Sequence, residues 1–106
     1  MIFIESKLFE KLRTDYIDDD EFRRLQNFLL LNPYAGEVIQ GTSGLRKLRW
    51  SLNNKGKRGG IRTIYLYLDK KDHIHLITLY AKNETTDLTN EQKKILKGIV
   101  EEIKNG

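Results

Sequence analysis

Apolar and polar positions change rhythm twice along this chain. The short run Ile2–Phe3–Ile4 reads as a buried strand. Leu8, Phe9, Leu12 and Tyr16 then recur at helical spacing until Asp18–Asp20 interrupt them. Asp18 with Glu21 three residues later resembles a capping box that opens a second helix, with Asp in place of Ser or Thr. Phe22, Leu25, Phe28 and Leu29 form its expected buried stripe. Asn32–Pro33 ends it, because proline disfavours helical geometry in the residue before it. From Leu45 the period drops to two. Leu48, Trp50 and Leu52 alternate with Lys47, Arg49 and Ser51, the signature of a strand with one buried and one wet face. The segments IRTIYLYL and HIHLITLYA are β-branched and aromatic on both faces, as central strands are. Asp69–Lys70–Lys71–Asp72 between them predicts a compact hairpin connection. Thr89 and Gln92 offer another capping box, ahead of Ile95, Leu96, Ile99, Val100 and Ile103 on one helical stripe. The order β-α-α-β-β-β-α predicts an α+β fold: a small antiparallel sheet, an N-terminal helical hairpin and a C-terminal helix packed against it.

Composition narrows the function classes. A chain of 106 residues suits one domain over 1–106, with one hydrophobic core. The absence of cysteine excludes disulfides, thiolate metal sites and a thiol nucleophile. No apolar run approaches the roughly 20 residues of a membrane span, and MIFIES is too short and too polar for a signal peptide. A cytoplasmic protein without a membrane partner is therefore expected. No phosphate-binding Gly-rich loop, dinucleotide fingerprint, Ser/His/Asp arrangement or metal-ligand cluster is present, so neither cofactor nor metal is expected.

The net charge of +4 is unevenly placed. Met1–Gln40 carries five Lys/Arg against eight Asp/Glu, and from Thr63 onward seven bases meet seven acids. Between them, Gly41–Arg62 holds seven bases (Arg46, Lys47, Arg49, Lys55, Lys57, Arg58 and Arg62) and no acid. Such a block is either a solvated hairpin face or an electrostatic footprint for a phosphate-rich partner. Strand pairing favours the second reading. If Asp69–Asp72 close a hairpin, Arg62 falls opposite Leu79 to within two residues, and Lys82 folds back beside Gly59. Lys55, Lys57, Arg58, Arg62 and Lys82 then gather at one end of the sheet. Whether paired positions add to an even or an odd number decides if Arg62 and Lys82 share a face. His73 and His75 lie on one strand face beside the turn. Seven residues separate His75 from Lys82, about 23 Å of extended chain, so the histidines are structural or surface groups.

Three stretches together, VIQGTSGLRKLRW, GKRGGIRTIYLYLD and LITLYAKNETTDLT, resemble the RelE/HigB superfamily of toxins from bacterial toxin–antitoxin modules, the HigB-type branch most of all. The resemblance implies a RelE-like fold and a ribosome-dependent mRNA endoribonuclease (an mRNA interferase) that cuts translated message in the A site. It also implies a cognate helix-turn-helix antitoxin of the HigA type. In such a reaction the RNA's own 2′-hydroxyl attacks the adjacent phosphate, so the protein must orient RNA, stabilise phosphorane charge and move protons. By motif position, Arg62 looks like the family's strand arginine. Lys55 and Lys57, with pKa values lowered by neighbouring cations, share the base and phosphate-holding roles. Lys82 matches a basic position that neutralises phosphate or assists the leaving oxygen. Arg46, Lys47, Arg49 and Arg58 fit contacts to RNA or ribosome. Two departures stand out: ETTDLT lacks the tyrosine some RelE-type enzymes have there, and Asn83 replaces a second base and is left to position RNA. The rival readings are a ParE-like toxin that binds DNA gyrase without cutting RNA, and a plain RNA-binding module.

Overall fold

The computed structural model describes residues 1–51, 60–82, 84 and 87–106. The chain runs β1 (Ile2–Glu5), α1 (Lys7–Tyr16), α2 (Asp19–Leu31), β2 (Glu37–Val38), β3 (Arg46–Trp50), β4 (Ile61–Leu68), β5 (His73–Ala81) and α3 (Asn90–Asn105). The strands form one sheet in the order β1-β5-β4-β3-β2. This is the anticipated α+β architecture with two refinements. The first strand pairs parallel to β5, so the sheet is mixed. A two-residue strand, β2, also adds to the far edge against β3; two residues are too few to carry a periodic signal.

Local chemistry starts each helix. Ser6 accepts from the Phe9 N–H at 2.9 Å, while its own hydroxyl donates to the Ile77 carbonyl at 2.6 Å, so the cap of α1 also ties it to β5. Asp18 accepts from the Glu21 N–H at 2.7 Å to open α2. The Glu21 carboxylate itself is held by Arg24 at 2.6 Å and by the Trp50 indole at 3.3 Å. At α3 both halves form, between Thr89 and Gln92, at 3.1 and 2.9 Å.

Alternation along the strands sorts the apolar side chains to two sides. One cluster holds Phe9, Phe22, Leu25 and Leu29 of the helical pair against Leu48, Ile61, Tyr65, Ile74, Leu76 and Leu79. The other holds Val100 of α3 against Ile39, Leu45, Ile64, Leu66 and Ile77. Helices therefore cover both faces of the sheet, which is why β4 and β5 are apolar on both. Three expectations change. Ile2 and Ile4 are exposed, because β1 is an edge strand and only Phe3 turns toward the core. Leu8 is exposed where Phe9 is fully buried, and in α3 Ile95 and Ile99 are exposed while Val100 is buried. Each of these helices thus buries a narrower stripe than its apolar positions suggest. Leu52 lies outside the described residues.

The β4–β5 register positions the basic residues. Near the hairpin turn Leu68 pairs with His73 and Tyr65 with Leu76, but the next pair is Ile64 with Thr78. Ile77 is an extra residue on β5, a bulge. Beyond it, Arg62 pairs with Tyr80 and Ile61 with Ala81, one residue from the expected Leu79.

Candidate functional site: a cationic face at the open end of the sheet

Arg62 enters β4 on the side of the sheet that α3 covers, since Ile64 and Leu66 at the same parity belong to that cluster. Its position makes it 8% exposed, unusual for arginine, and its guanidinium donates to the Ile61 carbonyl at 3.3 Å among other interactions. Beside it on β3, Arg49 is its direct register partner and Lys47 pairs with Ile64, so all three bases lie on one face. Two guanidinium-bearing residues directly opposed across a strand pair repel each other. On the other flank Tyr80 pairs with Arg62. The Lys82 N–H donates to the Gly60 carbonyl at 3.3 Å, extending the pairing one step past β5. Two residues on from Tyr80, Lys82 falls on the Arg62 side of the sheet by alternation. The bulge at Ile77 decides this, because without its extra residue the parity would reverse.

Segment 52–59 springs from this same end. It leaves at Ser51 and returns at Gly60, where the two strands run in contact: a Cβ at Gly60 would lie 2.1 Å from the Trp50 carbonyl oxygen. Gly60 also has φ of 65°, which a side chain resists. Both anchors of the segment carrying Lys55, Lys57 and Arg58 are therefore next to Arg62. Those three residues and Asn83 lie outside the described residues.

Arg46 is separated from the rest. It pairs with Tyr65 and faces the helical pair, where its guanidinium donates to the carbonyls of Tyr34 and Gly36 at 3.1 and 2.7 Å and lies 5.1 Å from the Tyr34 ring centroid. That arginine braces the segment before β2. The histidines sit at the hairpin end, as expected. His73 pairs with Leu68 and His75 with Leu66, with ring centroids 6.3 Å apart. Burial first, then His73 and Lys71, hold the His75 pKa below its usual value.

Three further groups border the cationic face. Asp87 approaches Lys47 at 3.8 Å, and its carboxyl is held below the usual range by the Leu88 N–H and then by Lys47. Glu84 accepts from the Tyr16 hydroxyl and from the Ala81 N–H, tying the chain after β5 to α1; this bond, with burial, pushes Tyr16 up to about 12. Tyr80 is raised by burial, then by Asp87, against the lowering influence of Arg62. Tyr80 was legible in principle: whatever register brings Lys82 to Arg62 also brings the residue two before it. Among the described residues no group of three His, Cys, Asp or Glu side chains could hold a metal ion. The chemistry on offer is that of guanidinium, ammonium and phenol groups, suited to holding and stabilising a phosphate.

A small α+β protein, helices on both faces of its sheet and cations massed at one sheet end, is the class these features define. The family model described as the RelE toxin of the RelE/RelB toxin–antitoxin system matches residues 35–105, from just before β2 to the end of α3. The chain belongs to the RelE toxin family, and it is thereby a toxin of a toxin–antitoxin system. Solved structures agree on the fold. A chain of the intact E. coli RelBE toxin–antitoxin complex is similar with a TM-score of 0.55 at 15% identity, over 76% of this chain and 94% of that one. A free-state structure of E. coli toxin RelE bearing two arginine-to-alanine changes is similar with a TM-score of 0.53 at 16% identity, over 79% and 85%.

Proposed function

We propose that this toxin is a ribosome-dependent endoribonuclease that cleaves translated mRNA in the A site, and that Arg62 is its principal phosphate-stabilising group. The observation that carries the reading is the convergence of Arg62, Arg49, Lys47 and Lys82 on one face at the open end of the sheet. In the reaction the 2′-oxygen of one nucleotide attacks the adjacent phosphorus and the bond from phosphorus to the 5′-oxygen breaks. The products are a 2′,3′-cyclic phosphate and a 5′-hydroxyl. One proton leaves the 2′-hydroxyl and one arrives at the 5′-oxygen. Lys55 or Lys57 accepts the first, an assignment supported by their tether to the arginine-lined end, since nearby cations favour the neutral amine. Lys82 neutralises the phosphate or assists the departing oxygen, and Arg62 stabilises the charge that grows on the phosphorane. Lys47, Arg49, Arg58 and Asn83 supply contacts to RNA and ribosome. The intramolecular nucleophile needs no metal-bound water, so cleavage should persist when a chelator removes transition metals while free magnesium is kept at the level that holds ribosomes intact.

A single toxin domain over residues 1–106 acts with a partner. The E. coli relative is solved as a toxin–antitoxin complex, and we extend that to a cognate protein antitoxin here, of the HigA helix-turn-helix type. No helix among the described residues is long and apolar enough to cross a membrane, which supports action on ribosomes in the cytoplasm. Inducing the toxin in growing bacteria and mapping RNA 5′ ends tests the reading. New ends at codon positions of translated messages are expected. Intact mRNA with inhibited DNA gyrase would instead indicate a ParE-like toxin.

A further inference from the structure

The two faces of the sheet are roofed unequally. On one side both α1 and α2 pack, with Phe9, Phe22, Leu25 and Leu29. On the other, among the described residues, α3 is the single helix; its cluster reaches Leu45, Leu66 and Ile77 but takes no residue of β1. Ile2 and Ile4 are the register partners of His73 and His75, which pair in turn with Leu68 and Leu66 of that cluster. Both isoleucines therefore lie on the α3 side, where they remain 56% and 37% exposed. The flank of α3 nearest this edge is apolar as well. Ile95 and Ile99 are 63% and 39% exposed, and Ile95 lines, with Leu8 of α1, an open groove of about 380 Å³ along β5. Five of the nine large apolar side chains exposed among the described residues thus border one strip beside α3. Strands lie about 4.8 Å apart and packed helices about 10 Å, so the strip over β1 and β5 is one helix wide. From His73 to Tyr80 it runs about 23 Å, or about four helical turns.

Charge selects the occupant. Glu91 lies one turn before Ile95 and Glu102 one turn after Ile99, both exposed. A second copy offering the same flank about a two-fold axis would run antiparallel, bringing Ile95 to Ile99 but also Glu91 to Glu102. That like-charge contact disfavours self-association. Resting on the toxin–antitoxin reading, we propose that an amphipathic helix of the cognate antitoxin docks beside α3 over β1 and β5, with basic residues near Glu91 and Glu102. At its Tyr80 end the helix lies two residues from Lys82, so the bound antitoxin screens the cationic face from RNA.

Titration of the full-length toxin with the purified product of the adjoining antitoxin gene tests this. Ile95→Gln with Ile99→Gln alters exposed positions only, and should weaken binding about 10²-fold with the melting temperature of the free toxin little changed. Ile2→Thr with Ile4→Thr, on the floor of the strip, should weaken it about 10-fold. Glu102→Lys should weaken it several-fold, most at low salt. Leu30→Gln with Leu31→Gln, the exposed apolar pair ending α2, should leave binding unchanged. Wild-type affinity in both isoleucine double variants would overturn the inference, as would loss of binding through Leu30 and Leu31 alone. A toxin dimer dissociated by Ile95→Gln with Ile99→Gln would give the strip to a second copy and equally overturn it. Binding is read without ribosomes or mRNA. A wild type that binds as expected but cleaves nothing would refute the nuclease reading and leave the docking surface standing.

Discussion

The two ends of the β4–β5 pair are built on opposite electrostatic plans. At the hairpin end charges and hydroxyls are matched: the N-terminal ammonium meets Asp72 at 3.2 Å, Tyr67 donates to Asp72 at 3.2 Å, and Tyr34 donates to Asp69 at 3.2 Å. The Tyr34 and Tyr67 rings meet edge to face with centroids 5.1 Å apart. At the open end Arg62 faces Arg49 and Lys82 follows close behind, with Asp87 3.8 Å from Lys47 at the border, and the Tyr80 phenol is buried beside them without a hydrogen-bond partner among the described residues. At one end acids and bases of the chain meet one another; at the other the strand pair sets two arginines opposite each other, and the proposed function rests on that end.

Arg62→Ala should break that contrast most severely. Cleavage on programmed ribosomes is expected to fall by about 10³-fold and growth inhibition to vanish, while co-sedimentation with ribosomes survives, because the lost contact acts mainly in the transition state. Full binding loss in a variant that still melts cooperatively would refute the catalytic role. Arg62→Lys should restore little, since a point charge cannot reproduce the two-pronged grip.

Tyr65→Phe probes the structural plan. The Tyr65 hydroxyl donates to the Pro33 carbonyl at 2.8 Å and accepts from the Gly36 N–H at 2.9 Å, joining the segment after α2 to the centre of the sheet. Its loss leaves one buried and one part-buried backbone group short, a destabilisation of about 1–3 kcal/mol by denaturant titration. The cleavage rate per folded molecule should stay unchanged.

Arg49→Ala sharpens the comparison by moving the two properties in opposite directions. Removing a like charge opposite Arg62 should stabilise the free toxin by about 0.5 kcal/mol. Ribosome binding should weaken several-fold, with a shallower salt dependence.

The smallest effect concerns pH. His75 has its pKa lowered in the fold, so the unfolded chain binds protons more readily. Stability should therefore be highest above the ordinary value of 6.5 and decline as pH falls through it, levelling off below the lowered folded value. His75→Gln should flatten that part of the melting-temperature profile between pH 7.5 and 5.5, without altering the open end.

Much of this was legible in residue order, for local reasons. Capping at Asp18 and Thr89 depends on side chains one turn from the groups they satisfy, whereas the Ser6 cap emerged only with the fold. The alternation of Leu48 and Trp50 with Lys47 and Arg49 depends only on the pleat. The block of bases from Arg46 to Arg62 is visible as composition. Even within that block, however, alternation alone could have set Arg46 apart from Lys47 and Arg49 by one face; the partner carbonyls of Tyr34 and Gly36 were the hidden part. Helical stripes misled where burial depended on coverage. Leu8 and Ile95 have the right spacing, yet both border an open groove between α1 and α3 along the free half of β5.

Residue order determined the elements, their caps and the concentration of positive charge, because each follows from interactions within a few positions. It could not determine the sharing of a face by Arg62, Tyr80 and Lys82. That rests on a single surplus residue, Ile77, in a strand apolar on both sides, where hydrophobic patterning does not penalise either register. Where the bulge falls, and with it which side chains meet, is decided in the three-dimensional pairing of β4 with β5, because neighbouring residues along the chain do not encode the partner opposite them.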